Sequence, residues 1–174
     1  MKKDLIIDGC AFTEDGVGFI GVTEQVLNCE VDAFFLTLPS CGEGYTACTR
    51  AIGGIYNLTD NESKRLTVAR SIDDIYAAKA AGKKAIVLSF QNPNPIENSL
   101  EQLRVFYELG VRVVQMTYNN TNFVGTGCSE TVPGGLTDFG KAMLAKMNEI
   151  GMLPDVSHCC HQTTMDVIKF SKTP

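Results

Sequence analysis

The sequence predicts an α/β protein built on a parallel sheet, and three observations carry that prediction. Short apolar runs of strand length alternate with segments whose apolar residues recur at helical spacing, and the alternation repeats five times. A strand followed by a helix, over and over, demands parallel strands joined by right-handed crossovers. The polar residues richest in chemistry stand just past the carboxyl ends of the predicted strands, where parallel α/β sheets keep their sites.

Leu5-Ile6-Ile7 is the first strand, ending at Asp8-Gly9-Cys10, and Ala33-Phe34-Phe35-Leu36 is the second, ending near Thr37 to Ser40. A loop bearing glycine and cysteine follows, from Cys41 to Gly54. Two helices come next. Thr59 with Glu62, and Ser71 with Asp74, have the reciprocal spacing that satisfies orphan amides at a helix start, and Gly82 supplies the stop. Ala85-Ile86-Val87-Leu88 is the third strand, its unbroken apolar run suited to cover on both faces.

Phe90-Gln91-Asn92-Pro93 breaks that strand, and Asn98 or Ser99 caps a helix striped by Leu100, Leu103, Phe106 and Tyr107, which Gly110 ends. Val111 to Met116 is the fourth strand and terminates in Thr117-Tyr118-Asn119-Asn120. The glycine-containing loop from Thr121 to Gly135 is long enough to be functional. It leads to a helix from Thr137 to Ile150, with Phe139, Met143, Met147 and Ile150 on one stripe. The fifth strand lies in the stretch Gly151 to His161, and a helix from Thr163 to Phe170 follows.

With 174 residues, 44% of them hydrophobic, the chain has material for one domain spanning residues 1–174 around a single core. Two architectures compete at this length. A doubly wound sheet of five strands would be complete, whereas an eight-unit barrel typically needs about 250 residues and would be partly present. Composition does not choose between them.

The net charge of −5 is interspersed, with no basic stripe for a phosphate backbone, so no nucleic-acid partner is expected. No apolar run approaches the roughly 20 residues of a membrane span, and Met1-Lys2-Lys3-Asp4 leads into a strand instead of a signal-peptide core. The expectation is a soluble, cytoplasmic protein with no membrane partner. Seven cysteines, an odd number without a Cys-x-x-Cys pair, read as reduced thiols.

The Gly151 to His161 stretch holds both histidines of the chain. Cys159, Cys160 and His161 cannot join His158 in a closed zinc site, because paired ligands usually stand two to four residues apart. Cys160 is read as core filling and His161 as a surface residue at a helix start. Gln91 and Tyr118 end adjacent strands and so face one mouth, where they are the candidate catalytic side chains. Asn92 and Asn119 suit the backbone of those turns, and Asn119 beside Tyr118 is also a candidate substrate contact. Cys10 is either a small buried residue or a thiolate ligand. Cys128 lacks a nearby positive charge that would make its thiol reactive, and Gly125-x-Gly127 fails as a dinucleotide fingerprint because Glu130 occupies the third glycine position.

From about Ser71 to Pro174 the chain resembles the membrane (renal) dipeptidase family of zinc peptidases. The resemblance rests on Tyr107-Glu-Leu-Gly-Val-Arg112, Met116-Thr-Tyr-Asn119, Gly134-Gly-Leu-Thr-Asp-Phe-Gly140, Met147-Asn-Glu-Ile-Gly-Met152 and Asp155-Val-Ser-His158, in order and in register. Before Ser71 it is looser, mainly Ile7-Asp-Gly9. It implies a (β/α)8 barrel of which this chain holds about five units, with the chain continuing past Pro174 into units that carry a second metal-binding histidine, a catalytic aspartate and an arginine that grips substrate.

Residue by residue, the resemblance makes His158 a ligand to one of two zinc ions. Elsewhere the pattern departs. Where the family has His-x-Asp after Ile7-Asp-Gly9, this sequence has Cys10-Ala-Phe12; Gln91 replaces a glutamate that bridges the metals; Tyr118 replaces a substrate-binding histidine. Gln91 offers a neutral carbonyl and Phe12 offers nothing, which argues against two zinc ions in the ordinary arrangement and leaves Cys10 with His158 to hold one. Such a pattern resembles a divergent bacterial branch of the family.

Two functions follow as expectations. The first is a metal-dependent hydrolase that cleaves a dipeptide or small amide with metal-activated water in the full-length protein, the 174-residue piece being inactive alone. The second is a barrel that has lost this chemistry and binds a small molecule. A piece ending after five units exposes a strand edge, so self-association of the isolated chain is expected and a homo-oligomer is allowed.

Overall fold

The computed structural model describes residues 4–11, 27–38 and 44–172. Strands β1 (Ile7–Ala11) and β2 (Ala33–Thr37) are followed by helix α1 (Tyr45–Asn61), strand β3 (Leu66–Val68) and helix α2 (Ile72–Ala80). Strand β4 (Lys84–Phe90), a 3-10 turn (Asn94–Ile96), helix α3 (Leu100–Glu108) and strand β5 (Val111–Gln115) come next. Helix α4 (Asp138–Ile150), strand β6 (Leu153–Asp155) and helix α5 (His161–Phe170) complete the described order.

Every strand pairing is parallel, and the order β1-β2-β4-β5-β6 runs with the sequence. A doubly wound sheet reverses its order at a switch point, so this monotonic order excludes that alternative. The strands curl into a half-barrel. Strand β3 is the element that periodicity does not reveal, since three residues are too few to show one. It shares an edge of β4 with β5: β2 pairs along the odd residues Ala85 to Ser89, while β3 takes the opposite edge at Lys84 to Ile86 and β5 continues it from Leu88.

Alternation along each strand sorts its side chains between two cores. Phe34, Leu36, Ile86, Leu88, Phe90 and Val114 face outward, where they pack with Ile52 and Ile55 of α1, Leu103 and Phe106 of α3, and Met143 and Met147 of α4. The opposite residues Ala33, Phe35, Ala85 and Val87 meet Ile75 and Ala78 of α2. Helix α2 therefore covers the inner face of the curl.

Several boundaries differ from the sequence reading. Helix α1 begins at Tyr45 and runs through most of the segment read as a loop, because Cys48, Ala51, Ile52 and Ile55 bury one continuous stripe. Gly53 and Gly54 stand on the open side of α1, where their helical cost of about 1 kcal/mol each does not outweigh that stripe. Thr59 does not cap a helix start; its hydroxyl donates to Tyr56 O within the last turn of α1. Cys41 lies outside the described residues. Strand β1 is displaced toward its carboxyl end, which places Cys10 inside the strand instead of beyond it.

The predicted caps at Ser71 and Ser99 are present, accepting from the amides of Asp74 and Gln102. Thr137, read as the first residue of its helix, is the N-cap and accepts from Gly140. Gly82, Gly110 and Gly151 take positive φ where the turns require it. No helix among the described residues is long and apolar enough to cross a membrane.

Candidate functional site

The inward positions of the sheet change character along the strands. Their lower members are apolar, Ala33, Phe35, Ala85 and Val87, while the carboxyl ends bring Thr37 of β2, Ser89 of β4, Gln115 of β5 and Asp155 of β6. Thr37 pairs with Ser89, and Gln115 with Asp155, so these polar groups line the rim of the half-barrel. The sequence reading missed all four. Their signal was available: in each strand the last residue on the inner parity is polar.

Cys10 is exposed on this rim with its Sγ 3.9 Å from Thr37 Oγ1. Gln91 follows β4 directly and is half-buried. Asn92 is buried and holds the turn as read, its Oδ1 accepting from Asn94 N at 2.8 Å, while its Nδ2 has no hydrogen-bond partner.

The densest construction lies past β5 and β6. The Tyr118 and His158 rings stack with centroids 4.4 Å apart and planes 22° from parallel. His158 Nδ1 is 2.8 Å from Asn119 Oδ1. Asn119 and His158 both adopt left-handed backbone, with φ of 57° and 59°. Such values are uncommon outside glycine and are tolerated best by Asn, Asp and His.

The loop from Thr121 to Gly135 locks this pair in place. Cys128 N donates to His158 O at 2.9 Å, and Ser129 N donates to Asn119 O at 2.9 Å. Thr117 Oγ1 reaches His158 O at 3.1 Å and Cys159 Sγ at 3.2 Å. Further along, Thr163 Oγ1 accepts from Thr126 N and donates to Thr126 O, so one buried hydroxyl satisfies both backbone polar groups of a loop residue. Cys160 Sγ donates to Gly134 O at 3.0 Å and also accepts from Thr163 N at the start of α5. Cys160 is thus a buried N-cap besides core filling, and His161 opens α5 on the surface as read.

The structure brings His158, Tyr118 and Asn119 into mutual contact and leaves Cys10 against Thr37. It also adds Cys128, whose Sγ lies 3.7 Å from Asn119 Oδ1 and therefore close to the imidazole that the sequence reading did not place there. A cavity of about 280 Å³ lined by Phe35, Arg70, Ile75, Val87, Arg112 and Leu153 lies away from this cluster, toward the amino ends of β5 and β6.

The zinc pair implied by the resemblance does not fit the residues described. Among them no three His, Cys, Asp or Glu side chains gather where they would hold one ion. Burial pushes the Cys159 thiol upward in pKa, against the opposing hydrogen bonds to Thr117. Phe12 lies outside the described residues. What the arrangement offers is a rim of amides and hydroxyls with one carboxylate, Asp155, and one imidazole at its edge, suited to hydrogen-bonding a polar ligand.

A family model described as membrane dipeptidase, peptidase family M19, matches residues 28–174. A dipeptidase verJ of Clonostachys rogersoniana is 31% identical over 134 residues, covering 76% of this chain and 34% of the relative. A dipeptidase of Schizosaccharomyces pombe, described as uncharacterized, is 36% identical over 106 residues, covering 59% of this chain and 26% of the relative. Among solved structures, an amidohydrolase from Pseudomonas aeruginosa superposes with a TM-score of 0.87 at 35% identity, over 98% of this chain and 51% of that one. The chain spans about a quarter to a half of the length of these relatives.

Proposed function

Because this chain belongs to the membrane dipeptidase family, peptidase family M19, we propose that the full-length protein hydrolyses dipeptides or small amides at the carboxyl mouth of its barrel. The observation that carries the reading is the Tyr118–His158 stack, fixed by Asn119 and the loop above it, at the end of two adjacent strands in a fold shared with an amidohydrolase. In this reading Gln91 and Tyr118 orient the scissile group. The Gln91 amide donates to a developing oxyanion and the Tyr118 ring and hydroxyl bound the pocket, contributions that count most where water is excluded. His158 and Asn119 hold the other side of the substrate. Residues 1–174 form one part of a single (β/α)8 domain in this proposal.

The donor set described here supplies no pair of zinc sites, so no step is assigned to a metal. The neutral Gln91 in place of an acidic ligand favours a second reading, a barrel that binds a small polar molecule without cleaving it. One experiment separates them. Full-length protein is assayed against a panel of dipeptides with its zinc content measured, alongside His158→Ala and Cys10→Ala. Turnover of a dipeptide that His158→Ala lowers at least 100-fold supports the hydrolase. Zinc lost with either substitution assigns that residue as a ligand. Saturable dipeptide binding with no turnover establishes the binding barrel instead.

A further inference from the structure

We infer that Asn119 is a positioning residue that commits His158 to a single tautomer, with the proton on Nδ1 and the bare nitrogen Nε2 facing whatever enters the mouth. Two donors converge on Asn119 Oδ1, the His158 ring nitrogen at 2.8 Å and the Cys128 thiol at 3.7 Å. A side-chain amide oxygen only accepts, so the ring nitrogen facing it carries the hydrogen, and in a neutral imidazole the other nitrogen then carries the lone pair. Among the described residues nothing bonds to Nε2, and His158 is exposed.

The rest of the cluster keeps the geometry from relaxing. The backbone of His158 is held through its carbonyl by Cys128 N and Thr117 Oγ1, its ring is pinned against Tyr118, and the carbonyl of Asn119 is held by Ser129 N. Both residues take a left-handed backbone conformation that costs free energy, and the contacts around them over-determine it. That combination turns a flexible imidazole into an oriented electron-pair donor, the arrangement by which an outer hydrogen bond fixes which nitrogen a histidine presents. The ligand group facing His158 is therefore an electron-pair acceptor, for a dipeptide an amide or ammonium N–H. This last step rests on the proposed function, whereas the tautomer does not.

The test is nitrogen-15 NMR of full-length protein labelled at histidine, treated with chelator and followed with rising pH until the His158 ring signals no longer move. The His158 signals are identified by their loss in His158→Gln. Asn119→Gly removes the acceptor while suiting the positive φ, and Asn119→Asp keeps both the oxygen and the backbone preference. The expected result is a protonated Nδ1 and a bare Nε2 in the wild type, loss of that preference in Asn119→Gly, and its return in Asn119→Asp. A protonated Nε2 in the wild type overturns the inference, and so does an unchanged Nδ1–H form in Asn119→Gly. Should Asn119→Gly fail to fold, the wild-type and Asn119→Asp spectra decide alone. The measurement needs no substrate, so a protein that fails to hydrolyse dipeptides leaves the tautomer question answered, and the converse holds.

Discussion

Gly127 sets how closely the mouth is packed. A Cβ built there would stand 2.1 Å from Asn119 O and 2.6 Å from Asn120 O, both backbone atoms that cannot swing aside. Gly127→Ala is expected to destabilise the protein by about 1–3 kcal/mol, read as a lower urea midpoint with an unchanged slope. An unchanged midpoint would mean that the loop lies off the Asn119 turn. The same residues show where sequence reading stopped. His158 and Tyr118 were legible as strand-end residues, and Asn119 as a turn residue. The hydrogen bond between Asn119 and His158 spans 39 positions and leaves no trace in local pattern. The sequence offers Cys128 no charged neighbour; in the fold its Sγ meets Asn119 Oδ1 beyond β5, and its backbone amide meets His158 O in the β6–α5 turn.

At the scale of elements, the start of β2 and the end of α2 are tied to β1 through Asp32. Its Oδ2 accepts from Ile6 N at 2.8 Å and pairs with Lys79 Nζ at 2.7 Å, and the same ammonium donates to Asp4 O at 2.6 Å. Burial raises the Asp32 pKa, but the Ile6 amide, the Lys79 bond and the positive charges of Lys79 and Lys84 together hold it below the ordinary carboxylate value. A depressed folded-state pKa means that the unfolded chain binds the proton more readily. Its stabilising contribution is then whole above the ordinary carboxylate pKa of about 4 and is lost as pH falls through the lower folded value. Asp32→Asn is accordingly expected to lower the urea midpoint at neutral pH and to make its decline toward about pH 3 shallower. Parallel pH curves for the two proteins would show that Asp32 carries no such linkage. Caps were the most legible features at this scale, because a hydroxyl three residues before an amide acts locally. The extent of α1 was not, because two glycines argued against helix while the stripe that decided it gains its free energy only against the sheet.

The whole molecule presents a half-barrel whose described sheet ends at β1 on one side and β6 on the other. Ile72 and Leu153 are 51% and 47% exposed near the inner cavity, and Met165, Ile168 and Phe170 are 46%, 63% and 43% exposed along α5. Unpaired strand edges beside apolar surface favour association with another chain. The isolated 174-residue chain is therefore expected to self-associate, eluting as a polydisperse or oligomeric species with concentration-dependent light scattering. A monodisperse monomer that melts cooperatively would show that these surfaces are covered within the chain.

Periodicity, caps and strand-end polarity placed most elements and the parallel connection between them, because each reports on burial or hydrogen bonding within one segment. Motif register then pointed to a barrel, and the monotonic strand order established it against a doubly wound sheet of the same elements. Strand β3 escaped because a strand of three residues is defined by its partner and not by its own pattern. The polar rim of Thr37, Ser89, Gln115 and Asp155, and the oxygen of Asn119 set against the ring of His158, came only from the register between distant segments. That register is chosen by packing across the two faces of the sheet, a long-range free energy that no window of the chain contains.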